Sequence, residues 1–163
     1  MDELVSELTT ILKDKQFKIA TAESCTGGLV AGLLTELAGS SLWFERGFVT
    51  YSDVAKQEML AVNPALIKAH GAVSQEVAEA MANGALAKSH SDITLAVTGI
   101  AGPDGGSPLK PVGTVWFAWA MTDHRVQSQC FCFKNEHREG VRRLACQQAL
   151  AGAIRLLKTN NNV

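Results

Sequence analysis

Ser24, Cys25 and Thr26, followed at once by Gly27 and Gly28, lie between a short apolar run and a segment with helical character. A hydroxyl or thiol at such a junction meets free backbone N–H groups and the positive end of a helix dipole, which stabilise an oxyanion or a phosphate. Gly27 and Gly28 let a backbone approach a ligand closely, and they equally permit tight packing of helix on sheet. Farther along, the segment 47–56 brings the Tyr51 hydroxyl and the Lys56 amine to a second strand–helix junction. Amide hydrolysis needs such groups. A lysine whose pKa is lowered by partial burial can take the proton of a serine, and a tyrosine can relay a proton to the departing nitrogen. Ser52 lies one helical turn before Lys56, but its position is that of an N-cap.

A second glycine-rich stretch runs Gly99-Ile100-Ala101-Gly102-Pro103-Asp104-Gly105-Gly106. Such a loop can present a concave array of backbone donors to phosphate or ribose oxygens. It contains neither GxxxxGK[ST] nor GxGxxG, so it is not a P-loop or a dinucleotide fingerprint, and a compact surface loop is the plainer alternative. Cys25 is a rival nucleophile, since a helix N-terminus lowers a thiol pKa, but no histidine stands near it in sequence and a buried structural thiol fits as well. Trp43, Trp116 and Trp119 could stack on an aromatic ring or simply fill the core.

These groups need a scaffold. Leu4, Val5, Leu8, Ile11 and Leu12 repeat at helical spacing and predict an amphipathic helix over 2–15. Strands are expected at 17–22, 43–51, 92–98, 112–121 and 125–133, the last two as an antiparallel pair around Thr122-Asp123-His124. Helices are expected from Gly28 to near Ala38, after Ser52 until Asn63-Pro64 breaks the run, from the Ser74 cap to Leu86, and over 136–157, with 160–163 fraying. Alternating helices and strands with a late hairpin predict one domain over 1–163, a three-layer α/β/α sandwich around a mixed sheet. Both glycine loops then fall at the carboxyl ends of strands, where ligands bind such sheets.

A length of 163 residues, 47% hydrophobic and 19% charged, fits one ordinary globular core. A net charge of -1 provides no field to hold a nucleic acid, and no apolar run is long enough to span a membrane. Asp2, Glu3 and Glu7 near the start do not resemble a secretion signal, and four sparse cysteines are expected to be reduced thiols in a cytoplasmic protein. The four histidines match no zinc signature, so no metal or other cofactor is expected.

The strings Thr21-Ala22-Glu23-Ser24-Cys25-Thr26-Gly27-Gly28, Ala38-Gly39-Ser40-Ser41, Trp43-Phe44-Glu45-Arg46-Gly47-Phe48-Val49-Thr50-Tyr51-Ser52 and His70-Gly71-Ala72-Val73-Ser74 resemble blocks of the CinA C-terminal family. So do the second glycine loop with Thr98 before it, and Lys110-Pro111-Val112-Gly113-Thr114-Val115. Order and spacing agree as well. The resemblance implies a metal-independent nicotinamide-nucleotide amidase that hydrolyses nicotinamide mononucleotide through a serine–lysine arrangement. It places Ser24, Ser41, Tyr51, Lys56, Thr98 and Arg138 in the site. Lys56 would be the base, Ser24 or Ser41 the attacking or orienting hydroxyl, and Tyr51 and Thr98 would position the amide. Thr26, Gly27 and Gly28 would line the oxyanion side, while Gly102, Gly105, Gly106 and Arg138 would take the phosphate. Arg142 and Arg143 are alternatives to Arg138. The implied partner is a small nucleotide, and the amphipathic first helix with several aromatic residues would suit a homo-oligomer. A non-catalytic nucleotide-binding module is the competing reading.

Overall fold

The computed structural model describes residues 1–159. The apolar stripe of the first helix, α1 (Asp2–Lys15), buries Val5, Leu8 and Leu12, and Gln16 closes it in a left-handed conformation. The chain then enters β1 (Ile19–Glu23), the one strand buried at all five positions, as suits the middle of a sheet covered on both faces. A loop leads to α2 (Leu29–Thr35), followed by a 3-10 turn (Ser40–Leu42) and β2 (Phe44–Val49). Next come α3 (Asp53–Leu60), α4 (Pro64–His70), α5 (Gln75–Ala87), β3 (Ile93–Gly99), β4 (Thr114–Met121), β5 (Val126–Cys132) and α6 (Arg138–Lys158).

The strands lie in the order β2-β1-β3-β4-β5. β1 is parallel to both β2 and β3, whereas β4 runs antiparallel to β3 and β5 antiparallel to β4. The sheet is therefore mixed, with α1, α2 and α6 on one face and α3, α4 and α5 on the other, a three-layer α/β/α sandwich. From β1 the chain moves outward to β2 and then returns past β1 to β3. The carboxyl ends of β1 and β3 thus flank a topological switch point, where such sheets open a crevice.

Two departures from the sequence expectation have local causes. α2 ends at Thr35 and not near Ala38, because the indole N–H of Trp43 donates to the Leu34 carbonyl at 2.7 Å and the chain reverses at Gly39, whose φ is +86°. Asn63-Pro64, expected only to break a helix, starts α4: the Asn63 side chain accepts from the Ala65 N–H at 2.9 Å, and Pro64 sits in the first turn, where its missing N–H costs nothing. The fraying expected at 160–163 lies outside the described residues. No helix among the described residues is long and apolar enough to cross a membrane.

Candidate active site

β1 ends at Glu23, and the Ser24 N–H donates to the Val97 carbonyl of β3 at 2.9 Å, so Ser24 is fixed just beyond the carboxyl end of β1, beside β3. Ser24 is only 7% exposed. Across from it, Ser52 caps α3 by accepting from the Ala55 N–H at 3.0 Å, the N-cap role expected of it. One turn later α3 carries Lys56, which is 1% exposed and among the largest fully buried side chains.

Lys56 Nζ lies 3.2 Å from Ser24 Oγ, 3.1 Å from the Thr50 carbonyl oxygen and 3.2 Å from that of Tyr51. Burial pushes its amine below the usual lysine range, and the Asp53 carboxylate at 3.9 Å pulls it partly back. A neutral amine has two hydrogens and one lone pair. The two carbonyls can only accept, so they take the hydrogens and the lone pair is left facing the serine hydroxyl. When the amine is protonated it donates to Ser24 as well, and the Ser24 hydroxyl turns to the Tyr51 carbonyl, 3.4 Å away.

The rim is built by three separate elements. Arg138, the first residue of α6, donates to the Gly102 carbonyl at 2.8 Å and to the Tyr51 hydroxyl at 2.8 Å. Tyr51 is 57% exposed, and the N–H groups of Gly105 and Gly106 donate to no described residue. Thr98, at the end of β3, is buried and donates to the Ala72 carbonyl at 2.8 Å. Ser24, Tyr51, Lys56, Thr98, Arg138 and Gly102 are thus gathered around the ends of β1 and β3.

Ser41 is not. It is exposed, in the 3-10 turn before β2, and its carbonyl accepts from Lys18 just ahead of β1. Ser24 lies beyond the other end of that strand, so about 3.3 Å per residue over the five residues of β1 separates the two serines within the chain.

The expectation of free amides at the start of α2 also changes. Glu23, fully buried, accepts from Gly28 at 3.1 Å, Val30 at 3.0 Å and Ala31 at 2.8 Å. The Gly27 N–H donates to the Ser24 carbonyl and that of Leu29 to the Thr26 carbonyl. A carboxylate of the protein itself therefore occupies the place where an incoming anion was expected, and the Gly27 and Gly28 amides are consumed. Only the N–H groups of Cys25 and Thr26 remain without an acceptor among the described residues. Gly27 and Gly28 instead supply the positive φ, +60° and +97°, that the tight turn requires.

Glu23 was not singled out in the sequence. Its signal was parity: it shares a face with Ile19 and Thr21 on a buried strand, where a carboxylate needs donors. Arg142, weighed as a phosphate ligand, donates instead to the Cys25 and Thr26 carbonyls, each at 3.1 Å. Burial raises the Cys25 thiol to about 11, so it is not a thiolate at neutral pH. Trp43 and Trp119 are buried, with their indole N–H groups bound to the Leu34 and Ala149 carbonyls, and belong to the core. No group of three or more potential metal ligands stands together among the described residues.

Comparison with known proteins agrees with this architecture. The chain is 48% identical over 155 residues to a nicotinamide-nucleotide amidohydrolase PncC from Enterobacter agglomerans, covering 95% of this chain and 94% of that one. It is 49% identical over 148 residues to the PncC of Escherichia coli K12, covering 91% and 89%. The crystal structure of a competence/damage inducible protein CihA from Agrobacterium tumefaciens superposes with a TM-score of 0.93 at 43% identity, over 95% of this chain and 94% of that one. With the CinA C-terminal domain model matching residues 1–157, the chain belongs to the CinA C-terminal domain family.

Proposed function

We propose that the protein is a nicotinamide-nucleotide amidohydrolase that converts nicotinamide mononucleotide to nicotinate mononucleotide and ammonia by a serine–lysine mechanism. The relatives named PncC support the substrate class. The observation that carries the chemistry is the buried Lys56 amine, 3.2 Å from Ser24 Oγ and within hydrogen-bond distance of the Thr50 and Tyr51 carbonyl oxygens.

In this reading the Ser24 oxygen attacks the carboxamide carbon as its proton passes to Lys56 Nζ. The carbonyl π bond opens to an oxyanion, received by the N–H groups of Cys25 and Thr26. The C–N bond then breaks, and the proton held by Lys56 passes to the nitrogen, which leaves as ammonia. Lys56, neutral again, takes a proton from water, and the hydroxide formed attacks the acyl-serine ester. The ester C–O bond then breaks, releasing the nicotinate product, and the proton held by Lys56 passes to Ser24 Oγ, restoring the hydroxyl and the neutral amine.

In this reading Tyr51 and Arg138 orient the nucleotide, which the hydrogen bond joining them at the rim supports. Arg138 with the Gly105 and Gly106 amides forms the candidate cradle for the phosphate. Purified protein incubated with nicotinamide mononucleotide should release one ammonia for each nicotinate mononucleotide formed. A folded protein that gains thermal stability from the nucleotide but releases no ammonia would reverse this reading in favour of a binding module.

A further inference from the structure

Of the arginines on α6, Arg142 reaches inward to the loop that carries the nucleophile. Its Nε donates to the Cys25 carbonyl and its Nη2 to the Thr26 carbonyl, two successive peptides tied to one guanidinium. A trans peptide is planar, so its N–H points opposite to its C=O. Holding the Cys25 carbonyl toward α6 therefore turns the Thr26 N–H away from α6. That direction leads across the sheet end toward the layer holding α3, from which Lys56 meets Ser24. Glu23 fixes the following turn by holding the Gly28, Val30 and Ala31 amides. Between these two anchors the Thr26 N–H has no acceptor among the described residues, and the Thr26 hydroxyl is buried without a partner.

We infer that Arg142 is a positioning residue which, by gripping the Cys25 and Thr26 carbonyls, aims the Thr26 N–H at the oxygen that becomes negative when Ser24 attacks. The inference rests on the serine–lysine amidase reading. It gives Arg142 a role distinct from phosphate binding: it contacts no substrate, and its effect is confined to the tetrahedral state. The ground-state carbonyl needs the donor less than the oxyanion does, so loss of Arg142 lowers kcat and leaves KM nearly unchanged.

The test uses the full chain with Arg142→Met, which keeps the apolar stem, and Arg142→Lys, which keeps the charge but not the fork. Two rates are measured: ammonia release from nicotinamide mononucleotide, and covalent labelling of Ser24 by a fluorophosphonate. In the labelling step the Oγ–P bond forms, P–F breaks, fluoride leaves and Lys56 takes the serine proton. The phosphoryl oxygen occupies the oxyanion position in that step too. Arg142→Met is expected to lower kcat about 100-fold with KM moving less than about threefold, and to slow labelling in parallel. Arg142→Lys should be intermediate. Added methylguanidinium should restore part of both rates in Arg142→Met, reaching the loop through the groove of about 340 Å³ lined by Leu29, Leu33, Glu139, Arg142, Arg143 and Cys146.

A wild-type kcat and labelling rate in Arg142→Met overturns the inference. So does a rise in KM that accounts for the whole loss, which marks a substrate contact. If the wild-type chain labels at Ser24 but releases no ammonia, the amidase reading fails while the labelling rates still decide the role of Arg142. If the wild-type chain releases ammonia but Ser24 does not label, the serine–lysine mechanism and the inference fail together while the amidase activity stands.

Discussion

Lys56 Nζ stands 3.2 Å from Ser24 Oγ across a gap of 32 positions in the chain, and the carbonyls of Thr50 and Tyr51 hold the amine from the other side. The contact joins the end of β1 to the second turn of α3, two elements that meet only because β2 lies beside β1 and returns the chain over the sheet. The Asp53 carboxylate, 3.9 Å away, is exposed and screened, so it compensates a charged amine at this buried position only in part, and the ammonium is costly there. The same burial that makes the position unfavourable for an ammonium makes it suitable for a base.

Ser24 and Ser41 should separate cleanly on mutation. Ser24→Ala is expected to reduce amide turnover by about 1,000-fold or more, as loss of a nucleophile does. Ser41→Ala, at the opposite end of β1, should stay within about threefold of wild type in kcat/KM. Steady-state assays on the two variants, with circular dichroism to verify folding, decide between the two hydroxyls.

The activity should have an acidic limb set by Lys56. The base works only when neutral, so kcat/KM rises with pH through a pKa lying below the ordinary lysine value of 10.5. Asp53 raises that pKa, and Asp53→Asn should therefore move the limb to lower pH, modestly because the carboxylate is half-exposed and screened. A limb that moves upward in this variant would contradict the assignment.

Stability should carry the mark of the same residue. Above the unfolded lysine pKa the amine is neutral in both states and folding exacts no penalty for it. As pH falls, the unfolded chain binds a proton first, and the folded state loses relative stability until its own depressed pKa is passed. Relative to wild type, Lys56→Met should therefore gain stability as the pH falls from 10.5 toward 7. Urea unfolding of both proteins across that range would show the trend, and a flat difference would mean that Lys56 is not perturbed.

Glu23→Gln replaces one acceptor oxygen by an amide nitrogen facing backbone N–H groups. The change should lower stability by about 1–3 kcal/mol, the cost of leaving a buried donor unsatisfied. Chemical denaturation measures it directly. An unchanged midpoint would mean that the α2 amides find other acceptors.

Two glycines are fixed by packing and not by backbone freedom. A Cβ at Gly84 would fall on the Leu60 carbonyl, and one at Gly152 on the Trp119 ring. Gly84→Ala and Gly152→Ala should each cost about 1–3 kcal/mol by overpacking, despite the better helix propensity of alanine. Thermal denaturation of the two variants, compared with Gly32→Ala, where nothing lies within 4 Å, separates packing from propensity.

Much of the architecture was legible from local chemistry. The stripe of Val5, Leu8 and Leu12, the Ser52 and Ser74 caps and the apolar run before Gly99 each specify an element through neighbours a few residues away. Asn63-Pro64 does follow the end of α3 as expected, but it also starts α4, because proline both stops and starts helices and the capping bond of Asn63 supplies the start. In the site, the hydroxyl, the amine and the glycine turns were visible as residue types. The occupant of the α2 amides was not, because a glutamate at a strand end looks like a surface charge until α2 folds over it.

By itself the sequence determined which groups exist and at which strand–helix junctions they lie, since periodicity, capping and turn chemistry act over a few residues. The tertiary structure alone decided that Lys56 meets Ser24 and not Ser41, that Glu23 occupies the α2 amides, and that Arg142 holds the loop. Those outcomes depend on strand order and on which helix covers which face. These relations join residues up to 117 positions apart, and no local rule reaches that far.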